Sequence, residues 1–120
     1  YIENEKILNF RGDGIIISTP TGSTAHSLSA GGPIISPDIN CFLLTPFCPY
    51  TLTIRPLIIS SEKKLQIKIY PEGKIIGDGQ DEFEIKENEI IEIKKSKMKA
   101  NLILEDNFFE KLKTKFGFGK

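Results

Sequence analysis

Residues 12–60 carry three of the chain's 32 formally charged side chains, Asp13, Asp38 and Arg55. Four more, Glu3, Glu5, Lys6 and Arg11, precede this stretch, and the other 25 follow it. A nearly uncharged stretch of that length is not ordinary solvated surface. It has to form core, be covered by another subunit or domain, or line a ligand site. All seven prolines also fall at or before Pro71. The first half is therefore rich in turns, and the second reads as half-exposed strands with a solvated Lys/Glu face. Zero formal net charge excludes the electrostatic footprint of a nucleic-acid binder or a polybasic membrane binder. No apolar run approaches the roughly 18 residues that a spanning helix needs. The length of 120 residues and the 39% apolar share fit one domain with a real core. Tyr1 stands where an initiator Met would, and the charged start is unlike a signal peptide. The chain is expected to be an excised segment or processed product.

The pattern predicts an all-β, antiparallel, sandwich-like domain interrupted by two helices. Residues 1–10 suit a strand or half of a hairpin. Gly14-Ile15-Ile16-Ile17-Ser18 is a β-branched run of the kind covered on both faces. Residues 41–45 form a second such run, closed by Pro46, and 52–60 continue the style, broken at Arg55-Pro56. Leu65, Ile67 and Ile69 alternate with polar neighbours. Pro71-Glu72-Gly73 and Gly77-Asp78-Gly79-Gln80 read as turns, the second between Ile75-Ile76 and the segment 83–85. Residues 89–95 and 98–104 suggest a hairpin across Lys95-Ser96-Lys97. A short helix should follow Pro20-Thr21-Gly22. A second should run over about 106–116, capped by Asp106 or Asn107, with Phe108, Phe109, Leu112 and Phe116 on one face and Gly117 at its end.

The segment from Asp13 to Pro33 is the most informative. It reads as a buried strand, a Pro/Gly turn, a short helix capped by Ser23 or Thr24, and a Gly31-Gly32-Pro33 stop. First-turn N–H groups of such a helix favour an anionic group. The helix is built from small residues, and Ala25 and Ser29, four apart, share a face. The same residues also suit a tightly packed connection with no ligand at all. Cys41 and Cys48 lack metal-binding spacing and read as small buried hydrophobes of a reducing cytosol. Arg55 has Asp13, Asp38 or another subunit as candidate partners.

Asp13-Gly14, Ser18-Thr19-Pro20-Thr21-Gly22-Ser23-Thr24-Ala25 and Ser29-Ala30-Gly31-Gly32-Pro33 together resemble the signature of NAD kinases. The likeness continues through the segment 44–52, Arg55-Pro56-Leu57, Asp78-Gly79-Gln80 and the segment 112–119, and so covers essentially the whole chain. The resemblance implies a kinase that phosphorylates the 2′-hydroxyl of the adenosine ribose of NAD, using ATP or polyphosphate, with a divalent metal such as Mg accompanying ATP. It implies that residues 1–120 are the carboxy-terminal NAD-binding domain, and that the catalytic Gly-Gly-Asp-Gly element lies in an amino-terminal domain absent from this chain. No catalytic or metal-ligating residue is then expected here, and the isolated chain should be inactive. The implied NAD-binding positions are Arg11, Asp13, Thr24, Ala25, His26, Ser29, Cys48 and Gln80, with Asp13 reaching across a subunit boundary. A cytoplasmic homodimer or homotetramer that binds neither nucleic acid nor membrane is expected. His26 occupies a position where many members have Tyr. Its smaller ring should stack less strongly and weaken binding below about pH 6, where an ordinary imidazole charges. A lipid or diacylglycerol kinase relative and a non-enzymatic β-rich assembly module are the competing readings.

Overall fold

A computed structural model describes residues 1–103 and 107–120. The chain divides into two compact units, one of Tyr1–Asn9 with Ser61–Lys95 and the other of Phe10–Ser60 with Ser96–Lys120. Every strand pair in both is antiparallel.

The unit containing the low-charge stretch is organised around β2 (Cys41–Phe47), flanked by β1 (Gly14–Ser18) and β3 (Leu57–Ser60) in the order β1-β2-β3. Six successive residues of β2, from Cys41 to Pro46, are buried. Both faces of this strand are therefore covered, as its unbroken apolar run requires. Leu43 and Thr45 are wholly inaccessible, and Ile35, Cys41 and Leu43 cluster as core. β1 is only half-buried over Ile15–Ser18, because it lies at the edge of the sheet. Pro46 does not close β2, which runs one residue further. The pairing with β3 ends at Leu44↔Leu57, whereas β1 pairs with β2 as far as Gly14↔Phe47. Pro46 thus sits where one side of β2 has no ladder, a position that tolerates a missing N–H. The strand expected over 52–60 is confined to β3.

After β1 the chain makes a 3₁₀ turn (Thr21–Thr24) and a single α-helical turn, α1 (His26–Ser29). No side chain caps either piece, contrary to the expectation for Ser23 and Thr24. The Ser23 hydroxyl points inward instead, donating to the Pro20 carbonyl at 2.6 Å and accepting from the Ile35 N–H at 3.0 Å. The second helix, α2 (Phe108–Phe116), has Asn107 as N-cap, its side chain accepting from the Phe109 N–H, and Gly117 in the left-handed conformation at its end. Asp106 and Leu104 lie outside the described residues. Of the expected apolar face only Leu112 is buried; Phe109 and Phe116 are exposed.

In the other unit β4 (Leu65–Lys68) pairs with β7 (Ile90–Ile93), and β5 (Gly73–Gly77) with β6 (Asp81–Ile85). The β5–β6 hairpin turns through Asp78 and Gly79, both at positive φ, with the Gln80 N–H donating to the Gly77 carbonyl at 3.0 Å. This is the turn chemistry the Asp-Gly dipeptide signals. The hairpin expected across Lys95-Ser96-Lys97 is not formed. β7 pairs with β4, Leu65 facing Ile93 and Ile67 facing Ile91, and residues 98–103 carry no strand. Apolar residues far apart in sequence thus stand side by side across the pair, whereas Met98, Leu102 and Ile103 remain exposed. The segment 1–10 is not a continuous strand: Ile2 and Glu5 close a tight turn, and Ile2 bridges Leu65.

Gly32 sits where the chain leaves the helical turn. A Cβ there would lie 2.8 Å from both the Ser27 carbonyl oxygen and Thr45 Oγ1, whereas one on Gly14 would meet nothing within 4 Å. Gly32→Ala should therefore destabilise the protein by about 1–3 kcal/mol through overpacking, with Gly14→Ala costing clearly less in the same thermal or urea unfolding measurement.

Candidate functional site

The helical turn is held down by alternate serines. Ser23 and Ser27, four apart, are 0% and 1% exposed, whereas Ala25, His26 and Ser29 face solvent and Thr24 is half-buried. Ser27 Oγ shares a buried hydrogen bond of 2.7 Å with Thr45 Oγ1 on the central strand. Together with the Ser23 bonds to Pro20 and Ile35, it anchors the turn by its inner face and sets the outer face outward. That outer face carries small side chains and one imidazole, so another molecule can approach the backbone closely there. The serines that fasten it were not identified from sequence. Their signal is the same four-residue spacing that groups Ala25 with Ser29, shifted by two.

The turn's N–H groups are less available to an anion than the motif suggests. Gly22 N–H donates to Thr19 Oγ1 at 3.2 Å, Ser23 N–H to the Pro20 carbonyl at 3.1 Å, and Ala25 N–H to the Gly22 carbonyl at 3.1 Å. One helical turn also carries little macrodipole. Ser18, at the end of β1, has a buried hydroxyl with no hydrogen-bond partner among the described residues.

Arg11, Asp13 and Cys48 come together at the other end of β1. The Asp13 N–H donates to the Phe47 carbonyl at 3.0 Å, and the Tyr50 N–H donates to the Arg11 carbonyl at 2.9 Å. Between them Gly12 lies so close to the turn that a Cβ would stand 2.9 Å from the Cys48 carbonyl oxygen and from Pro49 Cα. All three side chains are exposed, and Cys48 adopts a positive φ of 46°. Cys48 is therefore not the buried thiol expected from its apolar neighbourhood, whereas Cys41 is. Partial desolvation, and then the charge and acceptor oxygens of Asp13, push the Cys48 thiol above its ordinary pKa. β1 is five residues long, which places this cluster about 13 Å from the helical turn. Gln80, exposed in the β5–β6 turn, belongs to the other unit.

Arg55 meets neither Asp13 nor Asp38 in an ion pair among the described residues; its guanidinium donates to the carbonyls of Leu52 and Ile54. Asp38 accepts from the Ser36 hydroxyl, which holds its carboxyl below the ordinary value. No three His, Cys, Asp or Glu side chains among the described residues group as a metal site, and no described helix is long and apolar enough to cross a membrane.

Residues 1–104 match the family model described as the ATP-NAD kinase C-terminal domain. The chain belongs to this family. It is 43% identical to the NAD kinase of Lachnoclostridium phytofermentans, over 98% of this chain and 44% of that protein. It is also 43% identical to the bifunctional NADP phosphatase/NAD kinase of Methanococcus maripaludis, over 94% of this chain and 20% of that one. The fold superposes on the crystal structure of yeast NADH kinase complexed with NADH with a TM-score of 0.80 at 31% identity, covering 99% of this chain and 36% of the other. The chain thus spans less than half the length of each of these NAD kinase relatives.

Asp13 adds to the desolvation that disfavours the Cys48 thiolate. Alkylation of Cys48 by iodoacetamide, followed against pH by mass spectrometry, should have a midpoint above that of an ordinary thiol. Asp13→Asn removes the negative charge that disfavours the thiolate, so it should lower the midpoint and speed alkylation at pH 8. Cys41 should stay unmodified in the folded protein.

Proposed function

We propose that this chain is the dinucleotide-binding domain of an NAD kinase that phosphorylates the 2′-hydroxyl of the adenosine ribose of NAD. Family membership supports the reading, and the observation that carries it is the anchored helical turn. Ser23 and Ser27 are sealed inside while Ala25, His26 and Ser29 are presented outward. A packed connection with no ligand would have no need to hold its smallest side chains toward solvent. Ala25 admits a ribose or ring face at contact distance, the Ser29 hydroxyl and the half-buried Thr24 hydroxyl offer hydrogen bonds, and His26 offers an aromatic edge or face. The Ser23 and Ser27 hydrogen bonds hold the backbone of this turn in one orientation before binding, which limits the ordering entropy lost when the dinucleotide docks.

Asp13, Arg11 and Cys48 form a second contact group at the far end of β1. Their separation from the helical turn supports the reading in which Asp13 serves the dinucleotide of a neighbouring protomer in a homodimer or homotetramer. The exposed side chains of Tyr50 and Leu52, 81% and 85% accessible, supply apolar surface for such an assembly. Gln80, exposed in the β5–β6 turn of the other unit, is a further dinucleotide-contacting position only by resemblance to the family. Free thiols at Cys41 and Cys48 suit a cytoplasmic protein.

Phosphoryl transfer works mainly by positioning and charge stabilisation. The acidic group that orients the ribose hydroxyl, and the ligands of a divalent ion accompanying ATP or polyphosphate, come in this reading from outside the chain. What this chain does is hold one substrate still. The NAD kinase relatives match over nearly the whole chain, which disfavours both a lipid kinase and a pure assembly module.

Calorimetric titration of the intact protein with NAD and NADH tests the proposal. Ala25→Leu should weaken binding at least about tenfold by filling the approach, with little effect on the melting temperature because Ala25 is exposed. His26→Ala should weaken it a few-fold, and His26→Tyr should tighten it. Unchanged affinity in Ala25→Leu would overturn the assignment.

A further inference from the structure

β1 is an outer strand of its sheet, with β2 as its neighbour there. The register shows which of its backbone groups face that neighbour. Pro46 has no N–H, so Ile15↔Pro46 is a pair without ladder hydrogen bonds. Alternation then makes Gly14↔Phe47, Ile16↔Thr45 and Ser18↔Leu43 the bonded pairs, and turns the N–H and C=O groups of Ile15 and Ile17 away from β2. No other backbone bond among the described residues reaches Ile15 or Ile17. Open edges are ordinarily blunted by charged residues or proline. Gly14–Ser18 contains neither, whereas β3, at the opposite edge, follows directly on Arg55-Pro56.

This edge is complementary to itself. Antiparallel pairing with a second copy about a two-fold axis at Ile16 sets Ile15 opposite the partner's Ile17, and Ile17 opposite the partner's Ile15. Each of these pairs exchanges N–H and C=O in both directions. Sliding the register toward Asp13 would call on the Asp13 N–H, which already donates to the Phe47 carbonyl. Sliding it the other way runs past the end of β1 at Ser18. We propose that β1 pairs edge to edge with β1 of a second copy, joining two three-stranded sheets into one. The pairing follows from the strand alone, and its consequence for the site rests on the dinucleotide proposal. Gly14 falls opposite the partner's Ser18, so Asp13 stands at the entrance to the partner's helical turn. The two backbones are one strand spacing apart there, about 5 Å, whereas the turn of its own chain lies the length of β1 away. Each protomer thereby completes the site of the other.

Sedimentation velocity of the intact protein tests the pairing. Ile16 meets the partner's Ile16 at the axis, so Ile16→Lys and Ile16→Glu each set like charges opposite one another. Either variant alone should associate at least about tenfold more weakly than the wild type. An equimolar mixture of the two should recover the association, which a misfolded chain could not do. A monomeric wild type, association unchanged in both variants, or no recovery in the mixture would overturn the pairing. Calorimetry with NAD then tests the shared site. Ala25→Leu and Asp13→Asn should each weaken binding in their own homodimers. A mixed dimer of the two should regain one site of wild-type affinity, because one turn then has both of its partners intact. Mixed dimers with no restored site would place Asp13 at the turn of its own chain and overturn the shared site. Unchanged affinity in both homodimers would overturn the dinucleotide reading instead, while the sedimentation result stands by itself.

Discussion

The 2.7 Å hydrogen bond between the Ser27 and Thr45 hydroxyls ties the candidate site to the core. One partner lies on a helical turn too short to be stable alone, and the other on the most buried strand in the chain. Both groups are out of water, so each depends on the other for satisfaction. The bond, together with Ser23 bridging Pro20 and Ile35, does what a long helix would otherwise do by packing. It gives a four-residue element a fixed orientation. Gly32 completes the arrangement by leaving room for the two hydroxyls to meet.

This fixed orientation explains why the low-charge stretch is both core and surface. β2 uses the absence of charge to be covered on both faces. The helical turn uses it to remain thin and close to β2, since no long charged side chain needs a path to solvent. The segments on either side of β1 then differ in character. The turn after Ser18 is small, mostly uncharged and anchored, and the loop before Gly14 carries Arg11 and Asp13 against the positive-φ turn at Cys48. The first suits an aromatic, weakly polar part of a ligand, and the second a charged or strongly hydrogen-bonding part, which in the proposed assembly belongs to the dinucleotide of a neighbouring protomer.

Features encoded locally were legible in the sequence. Gly14–Ser18 is a strand as its β-branched run implies, though half-buried at a sheet edge and not covered on both faces; Asp78-Gly79 is a hairpin turn, and Asn107 and Gly117 bound α2. The resemblance to NAD kinases, carried by the Thr19-to-Ala25 motif, agrees with the family match. Features set by distant partners were not legible. The alternation in 89–95 announces a strand but cannot say that its partner is β4, which lies 22 residues earlier at Lys68↔Ile90 and 28 earlier at Leu65↔Ile93, so proximity in sequence points to the adjacent segment 98–104 instead. Cys48 was assigned to the interior from its apolar neighbours, yet the turn it occupies projects it beside Asp13. Ser23 reads locally as a cap and Ser27 only as a small helix residue, because their partners, Ile35 and Thr45, are 12 and 18 residues away.

The most direct test is residue-resolved NMR of the intact protein during titration with NAD. Backbone amides of Thr24, Ala25, His26 and Ser29 should shift together, saturating at one common concentration. Those of Leu43 and Thr45, in the strand beneath, should move little. Shifts confined to other parts of the chain, with the helical turn unaffected at saturation, would contradict the claim that this anchored turn is the dinucleotide's seat.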